Sequence, residues 1–234
     1  MASFMGPEAP RHVRASWSAS LLADLPLESQ VALFSARNER LVSAGQVTYQ
    51  GKDRSSDLPL FLVTGGLMRV FVASATGREV TVRFGRPGDL IGIPASIAGG
   101  SPMGVQSLTA GSLLVLPGLL LRDLANRDIA VAARLNRALA SVVFEVSQVL
   151  ADNVFQSVTE RVSGALLALA DRGGTTSIVR AGSQDLADQI GSVREVVSRT
   201  LRQLRESGLI DQEGPRITLL DEGALRQLAT SVSH

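Results

Sequence analysis

The chain has 234 residues, 45% hydrophobic and 19% charged, with a formal net charge of +1. That balance fits one large or two small globular domains and excludes a polybasic coat for nucleic acid. Cysteine is absent, which rules out disulfides, thiolate-held iron–sulfur clusters, cysteine zinc sites and cysteine nucleophiles together.

No N-terminal apolar run resembles a signal peptide, and no stretch approaches the ~18 apolar residues of a membrane span, so a cytoplasmic protein with no membrane partner is expected. Residues 1–18 are polar, aperiodic and proline-bearing, and a flexible N-terminal arm is expected there. Residues 19–36 carry a Leu/Val/Phe face and predict short helices. From about residue 40 the composition changes to Val, Leu, Phe and Thr, punctuated by Gly45, Gly51, Gly65-Gly66, Gly77, Gly88 and Gly111. Short strands at that spacing predict a β-sandwich or barrel, with alternation clearest in Glu79-Val80-Thr81-Val82-Arg83-Phe84.

After Pro117 the period becomes helical. From Arg122 to about Asn153 no Pro or Gly interrupts the chain, which predicts one helix about 45 Å long. Its apolar positions, Leu135, Leu139, Val142, Val146, Val149 and Leu150, recur at spacings of three and four, like a coiled-coil seam. A dimer helix is favoured over a core helix by its length. A second helix is expected over 157–172, closed by Gly173-Gly174.

The stretch SQDLADQIGSVREVVSRTLRQLRESGLIDQEGPRITLLD starts at Ser183, a suitable N-cap. Leu186, Ala187 and Ile190 give the first helix a buried face, and Gly191 suits a tight turn. The next helix, 192–207, buries Val193, Val196, Val197, Thr200, Leu201 and Leu204. Its other face carries Arg194, Glu195, Ser198, Arg199, Arg202 and Arg205. Two helices around a glycine turn, the second basic, predict a helix-turn-helix. LIDQ and RITLL around Glu213-Gly214-Pro215 look like a wing.

Over roughly residues 20–230 the chain resembles the Crp/Fnr superfamily of bacterial transcription regulators. The resemblance is carried by SAGQVTYQ, FLVTGGLMRVF, GREVTVRFGRPGDLIG, VTERVSGALLALA and above all QDLADQIGSVREVVSRTLRQLRESGLI. It implies an α+β chain with four parts: the arm (1–18), a cyclic-nucleotide-binding-type β-roll or jelly roll as sensor (19–121), a long dimerisation helix (122–154) and a winged helix-turn-helix (155–234). The R-E-x-x-x-R set of the cyclic-AMP receptor branch stands here as Arg194, Glu195 and Arg199. Arginine suits guanine O6/N7 bidentately, and a glutamate accepts from a cytosine amino group. The resemblance therefore implies a homodimer on a TGTGA-like inverted repeat, with RNA polymerase as a further partner. Thr159, Ser183 and Gln184 match phosphate-approaching positions, and Ser192, Ser198 and Arg202 complete the expected backbone contacts.

The family's nucleotide cassette departs from its pattern here. Aligning GDLIG on its turn puts Ile93 at the ribose-binding Glu, Met103 at the phosphate-binding Arg and Gly104 at the Ser. Val146-Ser147 stands at the adenine-contacting Thr-Ser pair. Cyclic AMP in the usual mode is not expected, although Arg69, Arg83 or Arg86 could supply charge from elsewhere. Gly92, Ile93, Pro94, Ile97, Met103, Gly104, Val146 and Ser147 form the candidate effector pocket. They would either line a site for an apolar small molecule or fill it, leaving an effector-independent regulator. Haem, with His12 or a methionine as axial ligand, is a further alternative, as is a ligand-binding or interaction protein without DNA. No Ser/His/Asp set, metal spacing or P-loop is found, so no enzyme, no catalytic residue and no metal are expected.

Overall fold

The computed structural model describes residues 5, 9–50, 58–75, 77, 79–171 and 177–230. Contacts divide the chain into two units, Met1–Ala73 with Val82–Val146 and Ser74–Thr81 with Ser147–His234. Among the described residues no helix is long and apolar enough to cross a membrane.

The first unit is built on two four-stranded sheets. Strands β1 (Asn38–Val42), β2 (Val47–Tyr49), β3 (Leu60–Gly65), β4 (Met68–Ala73), β5 (Glu79–Gly85), β6 (Leu90–Ile91), β7 (Met103–Ser107) and β8 (Gly111–Leu116) are arranged as β1-β8-β3-β6 and β2-β7-β4-β5. The pairings are antiparallel. β3 explains the layering. Successive strand side chains point to opposite faces, so Leu60 and Leu62 join one core while Phe61 and Val63 join another. A strand covered on both sides reads as an unbroken apolar run, which LFLV is.

The helical side of that sheet corrects the expected arm. Residues 11–18 fall in helix α1 (Arg11–Ala19), in which Val13 and Trp17 are each 1% exposed. Trp17 meets Phe34 edge to face at 5.3 Å, and its indole N–H donates to Gln30 Oε1 at 3.3 Å. Phe34 and Gln30 belong to α2 (Leu27–Ser35), which follows a 3-10 turn (Leu21–Asp24). The signal was Val13 and Trp17 one turn apart, too sparse to outweigh the polar residues around them.

The long helix is also shorter than expected. α3 (Ile93–Ala98) follows β6, and α4 (Gly118–Arg127) follows β8. Asp128 leaves helical geometry at φ −130° and ψ 113°, and its Oδ1 accepts from the Ala130 N–H at 2.8 Å. A short carboxylate that satisfies a free N–H favours a helix start over a helix interior. α5 therefore begins afresh and runs Ile129–Phe155, 27 residues or about 40 Å.

In the second unit, α6 (Val158–Leu169) is opened by a capping box. Ser157 Oγ accepts from the Glu160 N–H, and Glu160 Oε2 accepts from the Ser157 N–H at 2.6 Å. The expected glycine stop at 173–174 lies outside the described residues. Strands β9 (Ile178–Arg180), β10 (Ile210–Glu213) and β11 (Arg216–Leu219) form an antiparallel sheet in the order β10-β11-β9. The β10–β11 hairpin is the wing. Helices α7 (Ser183–Ile190), α8 (Arg194–Glu206) and α9 (Glu222–Thr230) complete the unit. Leu166, Leu186, Val197, Leu201, Ile217 and Leu225 meet in its core.

Replacing Trp17 by Ala should cost about 3–5 kcal/mol, the usual range for truncating a large buried aromatic. Chemical denaturation of the full chain measures this, and a loss below about 1 kcal/mol would mean that α1 contributes no packing.

Candidate nucleic-acid interface and β-roll cavity

α8 buries Val197, Thr200, Leu201 and Leu204 and exposes Arg194, Glu195, Ser198, Arg199 and Arg202. At 100° per residue, Arg194 to Arg199 spans an arc of about 140° that also holds Ser198, Arg202 and Arg205. Among the described residues no ion pair engages Arg194, Glu195, Arg199 or Arg202. Four arginines against Glu195 and Glu206 make the helix cationic.

The turn into α8 leaves its N-terminus open. Gly191 closes α7 at φ 66°, a left-handed conformation that a β-carbon would oppose. The N-cap of α8 is Val193, which offers no capping side chain and is 48% exposed, where burial was expected. Among the described residues the first N–H groups of α8 thus find no side-chain acceptor, an arrangement suited to an anion. Val196 is half-buried.

Of the expected backbone contacts, Ser183 is the first residue of α7, not its cap. Gly182 takes that place and donates its N–H to Asp185 Oδ2 at 2.8 Å. Gln184 is exposed, with its amide donating to Asp188 Oδ1 at 2.8 Å. Thr159 lies in the first turn of α6, half-buried like Ser192. Sequence reasoning missed Arg161 of α6, whose Nη1 donates to the Ile190 carbonyl at 2.6 Å and so holds the end of α7. Burial lowers its pKa from the ordinary arginine value. It also missed α9, for which EGALRQLAT carries the signal.

In the first unit the candidate effector residues divide. Gly92, Pro94, Met103 and Val146 line one cavity of about 60 Å³. Ile93 does not; it is 3% exposed and packs with Leu60, Leu62 and Leu90, and Ile97 packs against the same core. Ser147 is exposed and is not a lining residue. Gly104 faces Phe71 across the β4–β7 pair, and a β-carbon there would collide with the Phe71 ring. An aromatic ring crowds the place where the resemblance puts a phosphate-binding hydroxyl.

The cations are committed as well. Arg69 donates to Gln106 Oε1 at 2.6 Å and stacks over Phe71 at 4.8 Å. Arg83 lines the cavity, where its Nε meets Glu145 Oε2 at 3.0 Å and its Nη1 donates to the Leu90 carbonyl at 3.2 Å. The Glu145 contact was not foreseen, because the residues are far apart in sequence. His12 pairs with Glu39 at 3.5 Å and does not line the cavity; His234 lies outside the described residues. Among the described residues no group of three potential metal ligands is found.

The expected seam of α5 is corrected in part. Leu135 is buried in the core of the first unit, Leu139 packs against that core, and Val142 and Val146 line the cavity. Val149 is half-buried, and Leu150 is 66% exposed. The strip left exposed instead is Ala140, Val143, Ser147 and Leu150, at spacings of three and four, with Phe144 beside it at 76% exposure. Both strips have coiled-coil spacing, and only burial distinguishes them.

Two domain families match the chain, a cyclic nucleotide-binding domain over residues 39–128 and a Crp-like helix-turn-helix domain over residues 160–228. The transcriptional regulator LdrP of Thermus thermophilus is 31% identical over 177 residues, 74% of this chain and 88% of that protein. The chain belongs to the Crp/Fnr superfamily of transcription regulators. Its similarity to the fumarate and nitrate reduction regulatory protein of Escherichia coli is lower, 23% over 194 residues, 80% of this chain and 77% of that one. A solved Crp/Fnr-family regulator from Thermus thermophilus aligns at a TM-score of 0.71 with 26% identity, covering 84% of this chain and 100% of the other. As a Crp/Fnr regulator with a Crp-like helix-turn-helix, the chain binds DNA.

The Crp/Fnr nucleotide pocket fits poorly here. Ile93 is turned into the core, Met103 brings no charge, and Gly104 is crowded by Phe71. Replacing Gly104 by Ala should destabilise the chain by about 1–3 kcal/mol through overpacking. Adding Phe71→Leu should recover at least half of that loss in a double-mutant cycle read by urea denaturation.

Proposed function

We propose that this Crp/Fnr regulator is a cytoplasmic homodimer that recognises a TGTGA-like inverted repeat, works with RNA polymerase and does not use cyclic AMP in the usual mode. The observation that carries the DNA half is the exposed arc of α8. Among the described residues Arg194 and Arg199 make no ion pair, and each can offer a guanidinium fork to guanine, while Glu195 can accept from a cytosine amino group. Arg202, Ser198, Ser192, Ser183, Thr159 and Gln184 serve the phosphates and set register. Gln184 must release Asp188 to do so.

The dimer rests on the exposed strip of α5. Val143 at 63% and Leu150 at 66% exposure stand seven residues apart on one helix face. A second copy of the same strip across a two-fold axis would cover both. A palindromic site then mirrors the protein's symmetry. Independence from cyclic AMP is supported by the crowded position of Gly104 and by the engagement of Arg83 with Glu145.

Arg199→Ala should weaken binding to a TGTGA palindrome by about 1–3 kcal/mol and relax preference at one base pair, whereas Arg202→Ala should weaken all sequences alike and reduce the salt slope by about one. Gel-shift titrations at two salt concentrations read both effects; a uniform loss for Arg199→Ala would overturn its assignment as a base contact. Val143→Glu with Leu150→Glu should shift the sedimentation of the full chain from dimer to monomer, and an unchanged mass would remove α5 from the interface.

A further inference from the structure

The cavity of the first unit has a character that a failed nucleotide pocket does not require. Phe61, Val70, Ile91, Met103, Val142 and Val146 are among the apolar residues of its wall. Among the described residues its charged lining groups are Arg83 and Glu145, and these face each other at 3.0 Å. An anion entering would have to separate Arg83 from Glu145, whose side chains are 24% and 44% exposed, and then lie beside the freed carboxylate, an exchange of one charge contact for a like-charge repulsion. A cation would meet the opposite obstacle in Arg83. A neutral molecule meets neither, and apolar walls of this kind take up small hydrocarbons such as benzene in place of water.

Size and position narrow the choice further. About 60 Å³ exceeds the room one water needs, is less than half of the ~150 Å³ of a cavity that takes benzene, and is small for a nucleotide, so a hydrocarbon guest must push part of the wall aside. Met103 is unbranched, so that part of the wall can yield to a larger guest. Val142, Glu145 and Val146 stand on one face of α5, at spacings of three and four. Arg83, Val142 and Glu145 also line an adjoining polar cleft with Asp24, Arg134 and Arg137. The ion pair thus stands between an apolar chamber and a polar one.

We infer that this cavity binds a small, uncharged, mainly hydrocarbon molecule, with the Arg83–Glu145 pair as the barrier that turns away anions of the same shape. The inference rests on the regulator reading for its role as a sensor site, but ligand binding is measured without DNA, so either can fail alone.

The test uses the full chain and three probes: toluene, benzoate as its charged counterpart, and cyclic AMP. Binding is read by saturation-transfer NMR titration, and folding of every variant is checked by circular dichroism. Toluene should bind saturably, with benzoate and cyclic AMP weaker by at least about tenfold. Ala95→Phe and Met103→Trp fill the cavity from different walls, and whichever variant folds should lose toluene binding. Glu145→Gln takes the nearer carboxylate from Arg83, leaving Asp89 at 3.9 Å, and should strengthen benzoate binding by about tenfold, through a charge-assisted contact. Absent toluene binding, toluene binding that survives both filled cavities, benzoate as tight as toluene in the unaltered chain, or benzoate unaffected by Glu145→Gln would each overturn the inference. A missing gel shift with intact toluene binding would count against the DNA reading only.

Discussion

Much of this protein depends on how α5 distributes its apolar residues between two faces. One face is committed inside the first unit, where Val131 and Leu135 are buried in the core and Val142 and Val146 border the cavity. The other presents Val143, Phe144 and Leu150. Because a helix repeats every 3.6 residues, residues 142 and 143 lie about 100° apart and belong to different surfaces. The same helix therefore borders the cavity with one face and leaves an apolar strip exposed on another.

The chamber shows how a binding fold can keep its architecture while changing its chemistry. The antiparallel registers of β3 with β8 and β4 with β7 are maintained by paired backbone groups whichever side chains line the interior. Gly104 admits the ring of Phe71, Met103 brings a thioether, and Arg83 is held by Glu145. Arg83 also lies 3.9 Å from Asp89, so its guanidinium meets two carboxylates. That matters energetically, because an unpaired guanidinium facing apolar walls would be costly.

The helix-turn-helix was legible because its determinants are local. A glycine with φ 66° at the turn, an apolar set at helical spacing and a basic opposite face all lie within about 25 residues of sequence. The β-roll was legible as a class, since short strands between turn glycines restrict the architectures available. The N-terminal helix was not. Val13 and Trp17 become meaningful only once Phe34 and Gln30 are folded beside them. The break at Asp128 was missed because an aspartate in a helical period can be an exposed interior residue or a cap, and the neighbouring chain path decides which.

By itself, the sequence determined the family, the order of its domains and the residues that α8 turns outward, because each is written in short-range periodicity and local turn chemistry. Tertiary structure alone decided which apolar strip of α5 is buried, that Ile93 faces the core while Met103 faces the cavity, and that Arg83 is held by Glu145 from 62 positions away in sequence. The physical reason is common to all three. Periodicity says that a residue has a face, but only the packing of distant elements says what that face meets.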